Sequence, residues 1–167
     1  MIYTRPGQDD PIDQGDLIDG FPVVEMRDVR SDAPDEPTLD SATRRVIVLT
    51  QTCDLANEKI MTANVAEVFE ASFLVGQGVF KPADVRGPLR ASRIWGVYFL
   101  PADPTLQLNE MIVDLRRLHT VRVEHLLDWC RAGRRLARVQ PLYREHLARH
   151  FAETFGRIGL PRPYETL

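Results

Sequence analysis

The most reactive side chains of this sequence follow one another from Thr50 to Asp54, in the run Thr-Gln-Thr-Cys-Asp. A cysteine becomes a nucleophile when its thiol pKa is lowered and a base lies within hydrogen-bonding reach, and His119 and His125 are candidate bases. The carboxylate of Asp54 opposes thiolate formation through like-charge repulsion, but it could orient a histidine or help to bind a metal ion. The run is therefore a candidate centre for thiol or metal chemistry.

Each residue of this run also has a structural interpretation. Cys53 could be a small buried apolar residue, Asp54 could cap a following turn, and Gln51 could bond to the backbone. The end of a buried strand is also a common place for binding residues, because a rigid element holds them in position. The sequence leaves thiol or metal chemistry, binding and a structural role open for this run.

The second cysteine and a histidine pair near the C-terminus favour structural roles. Cys130 falls on the apolar face of a predicted helix, which favours core packing. His146 and His150 have the i, i+4 spacing of metal ligands, but the glutamate of the zinc-protease pattern is missing between them. A solvated helix face is the favoured interpretation of that pair, and both cysteines are expected to be reduced. The sequence predicts no metal site and no cofactor.

The charged residues are divided between two parts of the chain. Residues 1–40 contain eleven acidic residues and three arginines, whereas residues 116–149 contain nine arginines and three acidic residues. The two regions could neutralise each other across the folded surface. Alternatively, the basic region could form a nucleic-acid-binding face.

The length of 167 residues is that of one domain with a substantial core. Residues 1–13 are polar and contain two prolines, so a flexible N-terminal arm is predicted. Residues 14–167 are predicted to form a single domain, β-rich over 14–122 and helical over 123–160. No apolar run approaches the roughly 20 residues that cross a bilayer, and no signal-peptide pattern is present. A cytoplasmic location without membrane contact is therefore predicted.

Apolar runs and alternation predict the strands. The clearest strand is Arg44 to Thr50, in which four consecutive apolar residues indicate burial on both faces. Residues 27–43 contain prolines and acids without an apolar period, and they predict a surface loop. Further strands are predicted at 14–18, 21–26, 65–71, 96–100 and 111–115, with 118–123 continuing or pairing with the last.

Two helices are predicted after the strands. The apolar face of the first, which ends near Gly133, comprises Val123, Leu126, Leu127 and Cys130. The second begins near Pro141, and its stripe comprises Tyr143, Leu147, Phe151 and Phe155. Strands followed by helices indicate an α+β domain, with a small antiparallel, partly closed β-barrel and helices at one side.

Residues 14–128 resemble PemK/MazF-type toxins. The resemblance rests on the opening Gly15-Asp16-Leu17-Ile18, on Arg44-Arg45 followed by Val-Ile-Val-Leu-Thr, and on the later run from Met111 to Leu115. Members of that family are small barrels similar to SH3 folds, and they are ribonucleases that also bind an antitoxin peptide. The chain departs from the family pattern in three ways: it lacks a proline after the arginine pair, has Gln51 to Asp54, and carries an arginine-rich helical extension.

The resemblance implies roles for individual residues. Gly15 and Asp16 match the opening strand, Arg45 matches the loop arginine, and Thr50 matches the hydroxyl residue after the strand. The chain also resembles small bacterial proteins with a [Ser/Thr]-Gln-x-Cys-Asp motif, a resemblance that implies no activity. The catalytic candidates are Arg45, Thr50, Gln51, Cys53 and Asp54. The nucleic-acid-binding candidates are Arg44, Arg45, Arg116 and Arg117.

Three functions are compatible with these residues. The first is a PemK/MazF-like domain of a bacterial toxin–antitoxin or defence-type system, which binds RNA, DNA or a protein partner encoded nearby and could form a homodimer. In such a domain, arginines would grip phosphates and stabilise a charged transition state, and the activity would be ribonuclease-like. The second is a non-catalytic protein-interaction module. The third is a thiol or metal-dependent enzyme centred on Cys53.

Overall fold

The computed structural model describes residues 1–33, 37–56 and 60–156. These residues form an α+β fold, as the sequence predicts, with seven strands and five helices. The strands are β1 (Tyr3–Thr4), β2 (Asp16–Arg27), β3 (Thr38–Val48), β4 (Thr62–Glu70), β5 (Val97–Leu100), β6 (Met111–Arg122) and β7 (Arg135–Val139). The helices are α1 (Thr52–Ala56), α2 (Ala71–Gly76), α3 (Pro82–Asp84), α4 (Val123–Arg131) and α5 (Tyr143–Phe155).

All seven strands belong to one antiparallel sheet with the order β1-β7-β2-β3-β4-β6-β5. Among the described residues, β1 and β5 are the two edges and do not pair with each other, so the sheet is open. The central strand β3 is buried on both faces, because Val46, Ile47 and Val48 are fully enclosed. This is the strand that the apolar run after Arg44 predicts.

The two faces of the sheet carry separate apolar clusters. On the first face, Leu17, Ile47 and Val68 pack with Leu147 of α5. On the second face, side chains of β2, β3 and β4 pack under α4, while side chains of β5 and β6 form another cluster with α2 and the turn after α3. The two clusters of the second face are separated by a polar strip, which contains Arg44, Glu67 and Arg117.

Two irregularities shape the long strands. The register of β2 against β3 shifts between Ile18 and Phe21, around Gly20, which has a positive φ of 63°. The register of β6 against β4 shifts between the pairs Ala66–Leu118 and Glu67–Asp114, so Leu115 to Arg117 bulge out of the ladder. A bulge of this kind re-aims the side chains that it carries.

The structure differs from the predicted elements at several points along the chain. Strand β3 begins at Thr38, inside the predicted loop 27–43, and β7 lies in the region predicted to be helical. Helices α4 and α5 lie where the two apolar stripes predict them. Three predicted regions include residues outside the described ones. The predicted loop 27–43 includes residues 34–36, the β-rich region 14–122 includes residues 57–59, and the helical region 123–160 includes residues 157–160.

The N-terminal segment, for which the sequence predicts a flexible arm, makes specific contacts. Strand β1 pairs with β7, and the Tyr3 side chain is buried with its hydroxyl donating to the Pro101 carbonyl at 2.8 Å. The guanidinium of Arg135 donates to the carbonyls of Gly7 at 2.6 Å and Asp10 at 2.7 Å. These contacts tie the segment to the far edge of the sheet.

No helix among the described residues is long and apolar enough to cross a membrane.

Candidate functional site

The run from Thr50 to Asp54 leaves the end of β3 and enters the single helical turn α1. The Thr50 hydroxyl accepts a hydrogen bond from the Asn64 amide at 2.7 Å, and the Thr52 hydroxyl donates to the Asp13 carboxylate. The Cys53 thiol is exposed, with Sγ at 3.6 Å from Oε1 of Gln51 and 3.7 Å from Oδ1 of Asp54. The exposure of Cys53 contradicts its interpretation as a buried apolar residue.

The Asp13 carboxylate connects this run to a buried ionic network. Asp13 also accepts from Arg144 at 2.7 Å, and its backbone amide donates to Asp16 at 3.0 Å. Asp16 is fully buried and binds Arg135 at 2.9 Å and Arg138 at 2.6 Å. Because burial makes unpaired charge costly, this paired network has the character of a structural anchor.

Cys130 lies in the core under α4, as the sequence predicts. Burial raises the pKa of its thiol to about 11, so it is protonated at neutral pH. The rings of His146 and His150 pack against Tyr98, at centroid distances of 5.5 Å and 5.8 Å. His146 is exposed, in agreement with the predicted solvated face, whereas His150 is half-buried.

The catalytic candidate Arg45 lies in β3, five residues before the Thr50–Asp54 run, which corresponds to about 16 Å of extended chain. Its Nε donates to Asp19 at 2.9 Å and its Nη1 to Glu70 at 2.8 Å. Burial opposes the charged form of Arg45, but the hydrogen bonds to Glu70 and Asp19 outweigh it and raise the pKa of the guanidinium. The charge of Arg45 is thus compensated by two carboxylates within the sheet.

Arg44 points to the opposite face, because successive strand residues alternate. There it lies over Glu67 of β4, with its Nε at 3.5 Å from Oε2. From the bulge in β6, Arg117 reaches the same oxygen with its Nη1 at 3.6 Å, and its guanidinium stacks over the Phe69 ring. Two arginines from separate strands therefore meet over one carboxylate.

Glu67 is the centre of this cluster. Its side chain is only 1% exposed, and its Oε1 lies 2.9 Å from Nε2 of His119 on the neighbouring strand. Its Oε2 is buried without a hydrogen-bond partner. The guanidinium groups of Arg44 and Arg117 compensate the charge of Oε2 without forming a hydrogen bond to it, so Oε2 is a candidate for a reacting or ligand-binding atom. We name Arg44, Glu67, Arg117 and His119 the Glu67 cleft.

A depression of about 630 Å³ adjoins the cleft on the side of α4. His119 lines it, together with Phe21, His125 and Trp129. The rings of Phe21 and Trp129 meet edge to face at 5.4 Å, and the indole N–H of Trp129 donates to the Gly20 carbonyl at 3.0 Å. The carboxylate, imidazole and guanidinium groups thus sit beside a pocket with aromatic walls.

Of the four predicted nucleic-acid-binding arginines, the structure brings Arg44 and Arg117 together and separates the other two. Arg116 forms two hydrogen bonds with the Asp114 carboxylate, at 2.8 Å and 3.0 Å, which raise the pKa of its guanidinium. Arg45 is held by Asp19 and Glu70 on the other face. Of these four arginines, only Arg44 and Arg117 lie next to the Glu67–His119 pair.

Glu67 was not predicted from the sequence as a site residue, although a signal was present. Glu67 interrupts the apolar run Val-Ala-Glu-Val-Phe that begins at Val65, and a charge inside a buried strand usually has a partner. That partner, His119, was considered only as a base for Cys53. Its place beside Glu67 follows from the register of β4 against β6, which the sequence does not specify across a bulge.

Comparison of the sequence with models of known protein families finds no match, and neither does comparison with curated proteins.

Proposed function

We propose that this protein is a ribonuclease-like domain that binds single-stranded RNA across the Glu67 cleft and cleaves it there. The observation that carries the proposal is the Glu67–His119 pair, hydrogen-bonded at 2.9 Å, with Arg44 and Arg117 above the second carboxylate oxygen. A carboxylate–imidazole pair can transfer protons, and guanidinium groups can hold a phosphodiester and neutralise its developing charge. All four groups needed for phosphodiester cleavage therefore face one cleft.

The proposed reaction uses the 2′-hydroxyl of the RNA as the nucleophile. Oε2 of Glu67 accepts the 2′-hydroxyl proton while the 2′-oxygen bonds to phosphorus, and the P–O5′ bond breaks. Protonated His119 gives its proton to the departing 5′-oxygen. The products are a 2′,3′-cyclic phosphate and a free 5′-hydroxyl, and proton exchange with water resets the pair.

The two arginines would link substrate binding to this chemistry. The side chains of Arg44 and Arg117 are 42% and 56% exposed, so their guanidinium groups can move toward a bound phosphate. Such a movement would uncover Oε2 of Glu67 only when substrate is present. A base beside the phosphate could stack on the half-buried ring of Trp129, which lines the depression.

The proposal keeps the resemblance to PemK/MazF-type toxins, with its partly closed barrel, its setting in a bacterial toxin–antitoxin or defence-type system and its cytoplasmic location. It moves the chemistry from Arg45 and the Thr50–Asp54 run to the Glu67 cleft. An RNA substrate fits this setting, because the 2′-hydroxyl distinguishes RNA from DNA.

A protein-interaction module is the second candidate, and one surface favours it. Val24, Met26 and Leu39 are exposed on the β2–β3 hairpin, where Met26 and Leu39 are paired across the strands. Several exposed apolar side chains on one hairpin are typical of interaction surfaces. Binding of a partner here is compatible with RNA cleavage, because the hairpin strip and the Glu67 cleft lie on opposite faces of β2.

The test is cleavage of a fluorescent single-stranded RNA by the wild-type protein and by the variants Arg44→Ala and Arg117→Ala. Arg149→Ala is the matched control, because Arg149 pairs with Glu153 on the exposed surface of α5. Each cleft variant should lose about tenfold or more in kcat/KM, while the control should be unchanged. Absence of 2′,3′-cyclic phosphate ends from the wild-type reaction would reject the proposed activity.

A further inference from the structure

A second kind of ligand fits the same cleft. One oxygen of Glu25 on β2, one of Glu67 on β4 and a ring nitrogen of His119 on β6 all lie within 4.8 Å of one another. Glu25 is exposed, whereas the Glu67 side chain is buried and its Oε2 has no hydrogen-bond partner. Two carboxylates and an imidazole therefore converge at one place in the cleft, and one oxygen of the buried carboxylate has no hydrogen-bond partner.

The spacing of these atoms suits a small tetrahedral ion. Zinc bound at about 2.0–2.1 Å to two ligands in tetrahedral geometry separates them by roughly 3.3 Å. Glu67 and His119 are already 2.9 Å apart, so an ion between them requires an opening of only a few tenths of an ångström. The exposed Glu25 carboxylate can then close on the ion as a third ligand.

The ligand types indicate which ion is favoured. Imidazole nitrogen suits Zn²⁺ and similar transition metals, whereas Mg²⁺ and Ca²⁺ prefer sites made of oxygen atoms alone. Three protein ligands leave a fourth position for water. The nearby Arg44 and Arg117 reduce the affinity through like-charge repulsion, and their exposed side chains can turn into solvent to admit the ion.

We propose that Zn²⁺ binds reversibly to Glu25, Glu67 and His119 and thereby switches the cleft off. The ion would occupy the carboxylate oxygen and ring nitrogen that proton transfer needs, and it would displace the arginines that hold the phosphate. Zinc binding itself requires only these three side chains. Its inhibitory effect rests on the proposed ribonuclease function.

The test is calorimetric titration of Zn²⁺ into the metal-stripped full chain. One ion should bind the wild-type protein, and Glu25→Gln or His119→Asn should raise the Kd at least about tenfold, because even changes outside the ligand shell cost 10–100-fold. His125→Asn is the matched control, since His125 is exposed beside Glu124 at 3.8 Å, and it should leave the Kd unchanged. Glu25 is exposed, so Glu25→Gln is expected to fold.

Arg44→Ala gives the sharpest contrast. Removing this positive charge should tighten Zn²⁺ binding several-fold while weakening RNA binding, because the metal is repelled by Arg44 and the phosphate is attracted to it. Weaker Zn²⁺ binding by Arg44→Ala would overturn the proposed site.

Two further outcomes separate the site from the function. Loss of Zn²⁺ binding in Cys53→Ser, or equal loss in His119→Asn and His125→Asn, would assign the ion elsewhere and overturn the proposal. Zn²⁺ binding that depends on Glu25 and His119 in a protein that cleaves no RNA would support the metal site and reject the ribonuclease function.

Discussion

Glu67 and Asp16 are buried carboxylates that differ in how many of their oxygens accept hydrogen bonds. Asp16 receives hydrogen bonds from Arg135, Arg138 and the Asp13 amide, so both of its oxygens are occupied. Glu67 has one oxygen bound by His119 and one without a hydrogen-bond donor, and the arginines near that oxygen remain 3.5 Å and 3.6 Å away. A buried carboxylate with hydrogen bonds to both oxygens is typical of a structural role. A buried carboxylate with one oxygen lacking a hydrogen bond is typical of a functional role.

The buried Cys130 thiol makes stability depend on pH. Burial raises its pKa in the folded protein to about 11, against a reference value of 9.0, so the unfolded chain loses the proton first as the pH rises. Stability from this group is present below pH 9 and is lost between pH 9 and 11. Between pH 8 and 10, wild type should lose about 1 kcal/mol more unfolding free energy than Cys130→Ala.

Urea unfolding at the two pH values measures this difference. The comparison with Cys130→Ala removes the contribution of the buried tyrosines, Tyr3 and Tyr98, which both proteins share. An equal loss of stability in the two proteins would show that the thiol titrates normally.

At the scale of elements, β7 holds the N-terminal segment in place. Its first residue, Arg135, carries hydrogen bonds to Asp16 and to the carbonyls of Gly7 and Asp10. Removing one partner of a buried ion pair costs about 3–5 kcal/mol, because the other charge stays buried. Arg135 therefore holds the segment between β1 and β2 against β7.

Arg135→Lys should therefore loosen the N-terminal segment while keeping the positive charge. A lysine cannot reach Asp16 and two carbonyls at once with a planar fork of donors. We expect faster amide hydrogen exchange over residues 3–16 than in wild type. Arg149→Lys is the control, and equal exchange in the two variants would contradict the role of Arg135.

These elements show what the sequence could and could not reveal. The apolar run Val46 to Val48 predicts β3 because burial on both faces requires it. Strand β7 was not predicted, because it begins with Arg135 and an arginine does not indicate a buried strand. The burial of Arg135 is explained by its ion pair with Asp16, which lies 119 positions earlier in the chain. The helices α4 and α5 were predicted from apolar stripes because helical periodicity is local.

The candidate site was only partly accessible from the sequence for the same reason. Arg44 and Arg117 were predicted as nucleic-acid-binding residues from the charges and from the resemblance. Their meeting point at Glu67 depends on the register of three strands and on the bulge before Leu118. Local patterns carry no information about which residues a bulge places opposite one another.

At the scale of the whole molecule, the Glu67 cleft lies between the two apolar clusters of the second face. Helix α4 covers one side of it, and α2 with the turn after α3 covers the other. The opposite face is filled by the main core and α5. No described helix therefore covers this polar strip. The ionic network around Asp16 and the Thr50–Asp54 run lie elsewhere in the sheet.

We propose that the chemistry takes place at Glu67 and not at the Thr50–Asp54 run. The most direct measurement is the single-turnover rate of RNA cleavage by wild type, Glu67→Gln and Cys53→Ser under the same conditions. Because general acid–base groups contribute roughly 10²–10⁴-fold, Glu67→Gln should lose at least about 100-fold, and Cys53→Ser should stay close to wild type. Loss of cleavage in Cys53→Ser with full activity in Glu67→Gln would contradict the account.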